Sequence, residues 1–168
     1  VIVFGMTQEG RLAVDALGDF HIPHVALDLD ANRFVSALSD GYDVVYGDSS
    51  DFRLMEAVAG SNARAIVLGA PRYETSMSLT ETVRTRYPNL MRFVAVHNEA
   101  DALRHEKLGM NAHLSLAEPY GIELAADLLA SLGVSSDEIA DWVRENAERR
   151  GVFLEEPDAD PDAEAAAA

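Results

Sequence analysis

Six short apolar runs, many of their residues β-branched, alternate along this chain with longer stretches in which apolar residues recur at helical spacing. The runs predict strands at residues 1–4, 25–27, 43–46, 65–68, 91–96 and 112–116. The stretches predict helices at residues 9–18, 31–38, 50–58, 74–86, 99–108, 118–132 and 135–147. Because crossover helices join parallel strands, we expect an α/β fold. It is a Rossmann-like, doubly wound parallel sheet of six strands in the order 3-2-1-4-5-6, with an extra C-terminal helix.

The 168 residues divide into three predicted parts. Residues 1–133 form the Rossmann-like domain, residues 134–150 form a C-terminal helix suited to a dimer contact, and residues 151–168 form a tail. From residue 155 onward the tail contains only acidic residues, Pro and Ala, so we expect it to be disordered. The chain begins at Val1 within an apolar run, which leads us to expect a preceding segment.

The chain is acidic and contains no cysteine. Its 13 basic and 29 acidic side chains give a formal net charge of −16 at pH 7. Nucleic acids and anionic membrane surfaces attract basic patches, so we expect neither as a partner. Without cysteine there is no disulfide, thiolate nucleophile or cysteine-bound metal, and we expect no metal site. No apolar run approaches the roughly 18 residues of a membrane helix.

In a doubly wound sheet, ligands bind beyond the carboxyl ends of the strands, where the strand order reverses. The loop after the first strand, Gly-Met-Thr-Gln-Glu-Gly at residues 5–10, matches the dinucleotide fingerprint at its first and sixth positions. Thr7 replaces the middle glycine, although its hydroxyl can donate to a phosphate. Glu9 adds a negative charge where an anion would sit. The loop therefore favours a mononucleotide over a dinucleotide, or it simply packs a helix on the sheet.

Acidic residues follow the second and third strands. Asp28 stands where a carboxylate accepts hydrogen bonds from ribose hydroxyls; the alternative is a solvated acid at a strand end. Asp30 is interpreted more simply as a helix cap. Asp48 and Ser49 lie where an adenine edge can be read, or they form a turn and a cap.

Catalytic motifs are missing. The sole lysine, Lys107, has Leu103 rather than Tyr four residues before it, which excludes the Tyr-x-x-x-Lys pair of short-chain dehydrogenases. Neither a Gly-x-Ser-x-Gly elbow nor a Gly-x-x-x-x-Gly-Lys loop is present. A nucleotide-binding fold without catalytic groups suggests a sensor, so we predict that the chain is not an enzyme.

Several segments in order resemble a known family: VIVFG at 1–5, LDLD at 27–30, VYGDS at 45–49, YPNL at 87–90 and LGMNA at 108–112. Together they are similar to the regulator-of-potassium-conductance (RCK, or Trk-N) domain over about residues 1–150. The closest resemblance is to the C-terminal domain of Kef-type potassium efflux antiporters of the cation:proton antiporter-2 family. Residues 70–72, Ala-Pro-Arg, depart from the Asp-Asp-Pro loop of that pattern, and Val96-His97 departs from its Ala-Arg pair. We therefore do not expect glutathione gating.

The resemblance implies a cytosolic regulatory domain, at the cytoplasmic face of the cell membrane, that gates a covalently linked transmembrane antiporter domain for potassium or another monovalent cation. It implies nucleotide binding, with AMP preferred and ATP or NAD(H) as alternatives, and a homodimer formed through the helix after the sixth strand. In this family pattern Leu29 would flank the adenine, and Arg33 would approach a phosphate or a partner subunit. The candidate nucleotide site is Gly5, Met6, Thr7, Gln8, Gly10, Asp28, Leu29, Asp30, Arg33, Asp48, Ser49, Ala70 and His97.

Two alternatives remain beside the nucleotide sensor. A degenerate Rossmann fold that serves only as a dimerisation scaffold predicts no nucleotide affinity, and Thr7 and Glu9 favour it. A fragment of an NAD-dependent oxidoreductase predicts nicotinamide turnover and a substrate domain elsewhere.

Overall fold

A computed structural model describes residues 1–48, 51, 53–54, 57, 62–69, 73–116 and 120–151 of the chain. Its six strands are β1 (Ile2–Phe4), β2 (Val25–Asp28), β3 (Val44–Tyr46), β4 (Ala65–Leu68), β5 (Met91–Val96) and β6 (Asn111–Leu114). They form one parallel sheet in the order β3-β2-β1-β4-β5-β6, which confirms the predicted α/β fold and strand order.

The described helices lie close to their predicted positions. They are α1 (Gln8–Asp19), α2 (Ala31–Ser39), α3 (Tyr73–Arg86), α4 (Glu99–Glu106), α5 (Ile122–Leu132) and α6 (Ser136–Arg149). Ser135 and Glu138 form a reciprocal capping box that begins α6. The predicted helix at 50–58 and the predicted acidic tail fall largely outside the described residues.

The strand order reverses between β1 and β4: β2 and β3 lie on one side of β1, and β4, β5 and β6 lie on the other. Phe4 at the end of β1 pairs with Leu27 of β2 on one side and with Leu68 of β4 on the other. Since all strands are parallel, the loops after β1, β2, β4 and β5 emerge at the same edge. We call this the ligand edge, because such reversals open the crevice in which doubly wound folds bind ligands.

Both faces of the sheet are covered. Successive β1 residues point to opposite faces: Val3 joins one core cluster with Phe93 and Leu124, whereas Ile2 and Phe4 join another. All four β4 residues are buried, as expected for a central strand of a parallel sheet. Packing on both faces fixes the strands whose ends form the ligand edge.

The C-terminal helices fold back on the first helix. Leu12 of α1 packs with Leu129 of α5 and Trp142 of α6 in a third core cluster. The Trp142 indole N–H donates a 2.9 Å hydrogen bond to Asp19 at the end of α1. The main apolar faces of α5 and α6 are therefore covered within the chain.

Candidate functional site

The loop after β1 turns tightly into α1. Gly5 has a left-handed backbone with φ of 91°, and its N–H donates to Leu27 O at 2.8 Å. Thr7 is the N-cap of α1: its hydroxyl accepts from Gly10 N at 3.4 Å and donates to Gly69 O at 3.0 Å. The Thr7 hydroxyl proton, which the sequence suggested would be donated to a phosphate, is thus donated to the loop after β4.

Gly10 lies against the backbone of that turn. A Cβ atom built on Gly10 would lie 1.8 Å from the carbonyl oxygen of Gly5, a distance that no side chain tolerates. The close approach of helix and strand expected at the sixth position of the fingerprint is therefore present. Gln8 begins α1 beside it and is exposed.

Four residues from the predicted site meet at the end of β2, and we call this group the aspartate corner: Met6, Asp28, Asp30 and Arg33. The Asp28 side chain is only 1% exposed. Its Oδ2 accepts from Met6 N at 2.7 Å and Arg33 Nε at 2.8 Å. Its Oδ1 accepts from Asp30 N at 2.7 Å and Arg33 Nη2 at 3.0 Å. The fork of Arg33 and two backbone amides thus surround the carboxylate.

These contacts determine the charge state of Asp28. Burial by itself raises the pKa of the carboxyl group. The hydrogen bonds from Arg33, Met6 and Asp30 outweigh burial and hold the pKa below its usual value of 3.8. Asp28 is therefore ionised at neutral pH despite being buried.

Asp30 begins α2. Its Oδ1 accepts from Asn32 N at 2.9 Å and from Arg33 N at 3.0 Å, which confirms its interpretation as a helix cap. Its Oδ2 lies 3.6 Å from Arg33 Nη1, so the guanidinium stands between two carboxylates. Leu29, between the two aspartates, is exposed at the ligand edge.

The remaining predicted residues at this side of the sheet follow β3 and β4. Gly47 N donates to Asp28 O at 3.1 Å, so Asp48 emerges beside the aspartate corner and is half-buried. Ser49 and Ala70 lie outside the described residues.

A second group of polar residues meets across the end of β4, and we call it the histidine corner: Glu9, His97 and Ser115. Glu9 Oε1 lies 3.5 Å from His97 Nε2; the Glu9 side chain is 6% exposed and that of His97 63%. His97 Nδ1 lies 3.1 Å from Ser115 O, and a carbonyl only accepts, so Nδ1 carries a proton. Nε2 can therefore donate toward a Glu9 carboxylate oxygen only when the ring carries a second proton.

Sequence reasoning identified Glu9 and His97 separately and missed that they meet. They follow β1 and β5, which are both neighbours of β4 in the sheet. The signal was available, because parallel strands on either side of a third bring their carboxyl ends to one crevice.

A cavity of about 310 Å³ opens at the end of β5, beside the histidine corner. It is lined by Tyr73, Ala95, Val96, His97, Asn98, Asp101 and His105. His105 is buried, with Nδ1 2.8 Å from Asp101 O and Nε2 3.1 Å from Ser76 Oγ. The volume of the cavity is at the lower end for small-molecule pockets. The histidine, asparagine and aspartate side chains that line it already have hydrogen-bond partners.

The family model described as the TrkA-N domain matches residues 1–116. The chain belongs to the TrkA-N domain family. The predicted resemblance to the Trk-N, or RCK, domain is confirmed.

Curated relatives of this TrkA-N domain include potassium efflux antiporters. K(+) efflux antiporter 1, chloroplastic, of Arabidopsis thaliana is 26% identical over 145 residues, which cover 86% of this chain and 12% of that protein. Putative K(+) efflux antiporter KefB of Alkalimonas amylolytica is 25% identical over 154 residues, covering 92% of this chain and 23% of that protein. The chain thus spans a small part of each relative.

Solved structures share the fold. The Kef C-terminal domain of Shewanella denitrificans in its AMP-bound form superposes with a TM-score of 0.59 at 19% identity, covering 89% of this chain and 90% of that one. The TrkA-N domain of inner membrane protein ybaL from Escherichia coli has a TM-score of 0.57 at 17% identity, covering 79% and 95%. Within the described residues, no helix combines the length and apolar character needed to cross a bilayer.

Proposed function

We propose that this TrkA-N domain is the nucleotide-sensing regulatory domain of a cation–proton antiporter, most simply one that transports potassium. The antiporter's transmembrane domain would be covalently linked to it, with this domain at the cytoplasmic face of the membrane. Membership of the family and the potassium efflux antiporters among its relatives support this proposal. Its role is to bind a nucleotide and to transmit that binding to the transmembrane domain rather than to catalyse a reaction, as is consistent with a regulatory family.

The aspartate corner is the single observation that carries the proposal. It provides an ionised carboxylate at the end of β2, beside the sheet reversal and the N-terminus of α1. A carboxylate there is the group that recognises ribose hydroxyls in doubly wound folds, while backbone amides at the helix start favour a phosphate. We assign the two functions to Asp28 and to the loop at residues 5–10.

AMP is the nucleotide that we favour, with ATP and NAD(H) as alternatives. A Cβ built on Gly69 would lie 2.9 Å from the Thr7 hydroxyl oxygen, so the loops after β1 and β4 are in close contact. Glu9 adds a buried carboxylate between the strand ends. Both features leave less room and less favourable charge for a pyrophosphate than for a single phosphate. The AMP-bound Kef domain with the same fold supports this choice.

Regulation would operate by a shift between two arrangements of a homodimer. A ligand changes such an equilibrium only by its difference in affinity for the two arrangements, and nearly complete switching needs roughly 5 kcal/mol. Exposed apolar side chains on α2 and β3 offer a surface for the second copy: Val35, Leu38, Val45 and Tyr46. The larger apolar faces of α5 and α6 pack within the chain, so this surface stands as a second candidate beside the predicted contact through the helix after β6.

Calorimetric titration of the domain with AMP, ATP, NAD⁺ and NADH tests the proposal. We expect micromolar affinity for one of them, reduced at least tenfold by Asp28→Ala. Asp141→Ala is the matched control, because Asp141 lies on α6 and is exposed. Failure of every nucleotide to bind the folded protein would favour the alternative of a dimerisation scaffold, to which the internal engagement of the Thr7 hydroxyl already points.

A further inference from the structure

The Asp28 carboxylate has no accepting site left for a ligand. Two carboxylate oxygens offer about four lone-pair directions. Met6 N and Asp30 N occupy two of them, and Arg33 Nε and Nη2 occupy the other two, all at 2.7–3.0 Å. Ribose hydroxyls therefore need one of these donors to leave before they can bind.

The two kinds of donor differ in how easily they can leave. The amides of Met6 and Asp30 belong to the backbone of the β1 loop and of the α2 cap, so moving them would distort the sheet edge. The Arg33 side chain is 40% exposed and reaches Asp28 from the first turn of α2. Only a change of its side-chain rotamer is needed to uncover the carboxylate.

A second resting place for the guanidinium is already present. Arg33 Nη1 lies 3.6 Å from Asp30 Oδ2, and this carboxyl group is 43% exposed. When Arg33 releases Asp28, its charge can remain paired with Asp30 in partly solvated surroundings. The exchange replaces two N–H donors on Asp28 with two O–H donors and leaves the count of charges unchanged.

We propose that Arg33 is a latch on the ribose-binding carboxylate, which it covers in the ligand-free domain and leaves for Asp30 when a ribonucleotide binds. This inference rests on the proposed nucleotide function. It makes Arg33 a specificity-determining residue. Only a ligand with ribose hydroxyls can replace the two hydrogen bonds from Arg33 that Asp28 loses. It differs from the sequence expectation, in which Arg33 approached a phosphate or a partner subunit.

The test compares AMP with 2′,3′-dideoxy-AMP on wild type, Arg33→Met and the control Arg144→Met. Methionine keeps much of the length of arginine but cannot donate. Arg144 forms an exposed pair with Asp141 on α6 at 2.9 Å, so its removal makes the same change in net charge away from the ligand edge. We expect Arg33→Met to raise the affinity for AMP. The ratio of the affinity for AMP to the affinity for the dideoxy analogue should rise about five- to tenfold. If Arg33 is a latch, the variant binds AMP more tightly than wild type does. If Arg33 instead contacts the phosphate, the variant binds both ligands more weakly.

The outcomes separate the latch from the proposed function. If wild type binds AMP and Arg33→Met shows no gain over the dideoxy analogue, the latch is wrong and the nucleotide function stands. If no folded variant binds AMP, ATP, NAD⁺ or NADH, the nucleotide function is wrong and the latch falls with it. Thermal melts check that each variant is folded.

The wild type offers an independent measurement. The NMR signal of the Arg33 Nε–H, hydrogen-bonded to Asp28 in the free domain, should shift on addition of AMP and stay in place with 2′,3′-dideoxy-AMP. An unchanged signal at saturating AMP would overturn the latch even if Arg33→Met failed to fold.

Discussion

The two corners of the ligand edge differ in how completely they are satisfied without a ligand. In the aspartate corner a buried carboxylate receives four hydrogen bonds, two of them from a guanidinium. In the histidine corner a carboxylate that is also buried has a histidine at 3.5 Å, beyond an ordinary hydrogen bond. The same chemical group is thus tightly held in the aspartate corner and loosely held in the histidine corner.

This difference indicates which corner holds the surrounding loops in place. A fully paired carboxylate fixes the loops around it, because removing any donor leaves a buried charge without compensation. A loosely paired one holds its neighbours less firmly and can change partner. We therefore expect the aspartate corner to control stability and ligand specificity, and the histidine corner to tune the local charge.

The largest expected effect comes from Gly10, which both corners share through the loop at residues 5–10. Gly10→Ala should lower the free energy of unfolding by about 3 kcal/mol, because the new methyl group meets the Gly5 carbonyl rather than a movable side chain. Urea denaturation measures the loss.

Gly18→Ala is the matched control for Gly10, since it lies in the same helix with nothing within 4 Å of the new Cβ. It should be neutral or stabilising by up to about 1 kcal/mol, as expected from helix propensity. Equal stability of the two variants would show that the β1 loop is more pliable than its contacts indicate.

Much of this framework could be predicted from the sequence. The parallel sheet follows from the alternation of strands and helices, and the handedness of crossovers narrows the strand order to the few orders found in doubly wound folds. The cap at Asp30 and the close approach at Gly10 follow from local residue type and spacing, because each depends on backbone within a few positions.

The partners at the two corners could not be predicted in the same way. Arg33 was expected to reach a phosphate or a second subunit, yet its fork lies on Asp28, a choice made by its rotamer and by the burial of that acid. Glu9 and His97 meet only because β4 brings β1 and β5 into register, and no local pattern encodes that contact.

Asp28→Asn should lower the free energy of unfolding by about 2–3 kcal/mol at pH 7, because it removes the charge that Arg33 pairs with and places an amide donor against backbone donors. The effect should depend on pH. Since the folded-state pKa of Asp28 lies below 3.8, its stabilisation is present above pH 3.8 and is lost as the pH falls through the lower folded-state value.

Urea denaturation at pH 7 and near pH 2.5 tests this dependence. The gap between wild type and Asp28→Asn should narrow at the lower pH. A gap that stays constant would mean that packing of the side chain, rather than its charge, stabilises the aspartate corner.

The smallest effect is expected from the same chemical change in the histidine corner. Glu9→Gln should alter the free energy of unfolding by less than about 1 kcal/mol, because within the described part of the chain the carboxylate has only His97 near it, at 3.5 Å, and the amide that replaces it can still hydrogen-bond to the ring. It should also tighten AMP binding two- to threefold by removing a negative charge near the phosphate. Glu123→Gln, an exposed change in the first turn of α5, is the control and should move neither quantity. A loss from Glu9→Gln as large as that from Asp28→Asn would mean that the two corners are equally tight, and that the 3.5 Å separation understates the contact between Glu9 and His97.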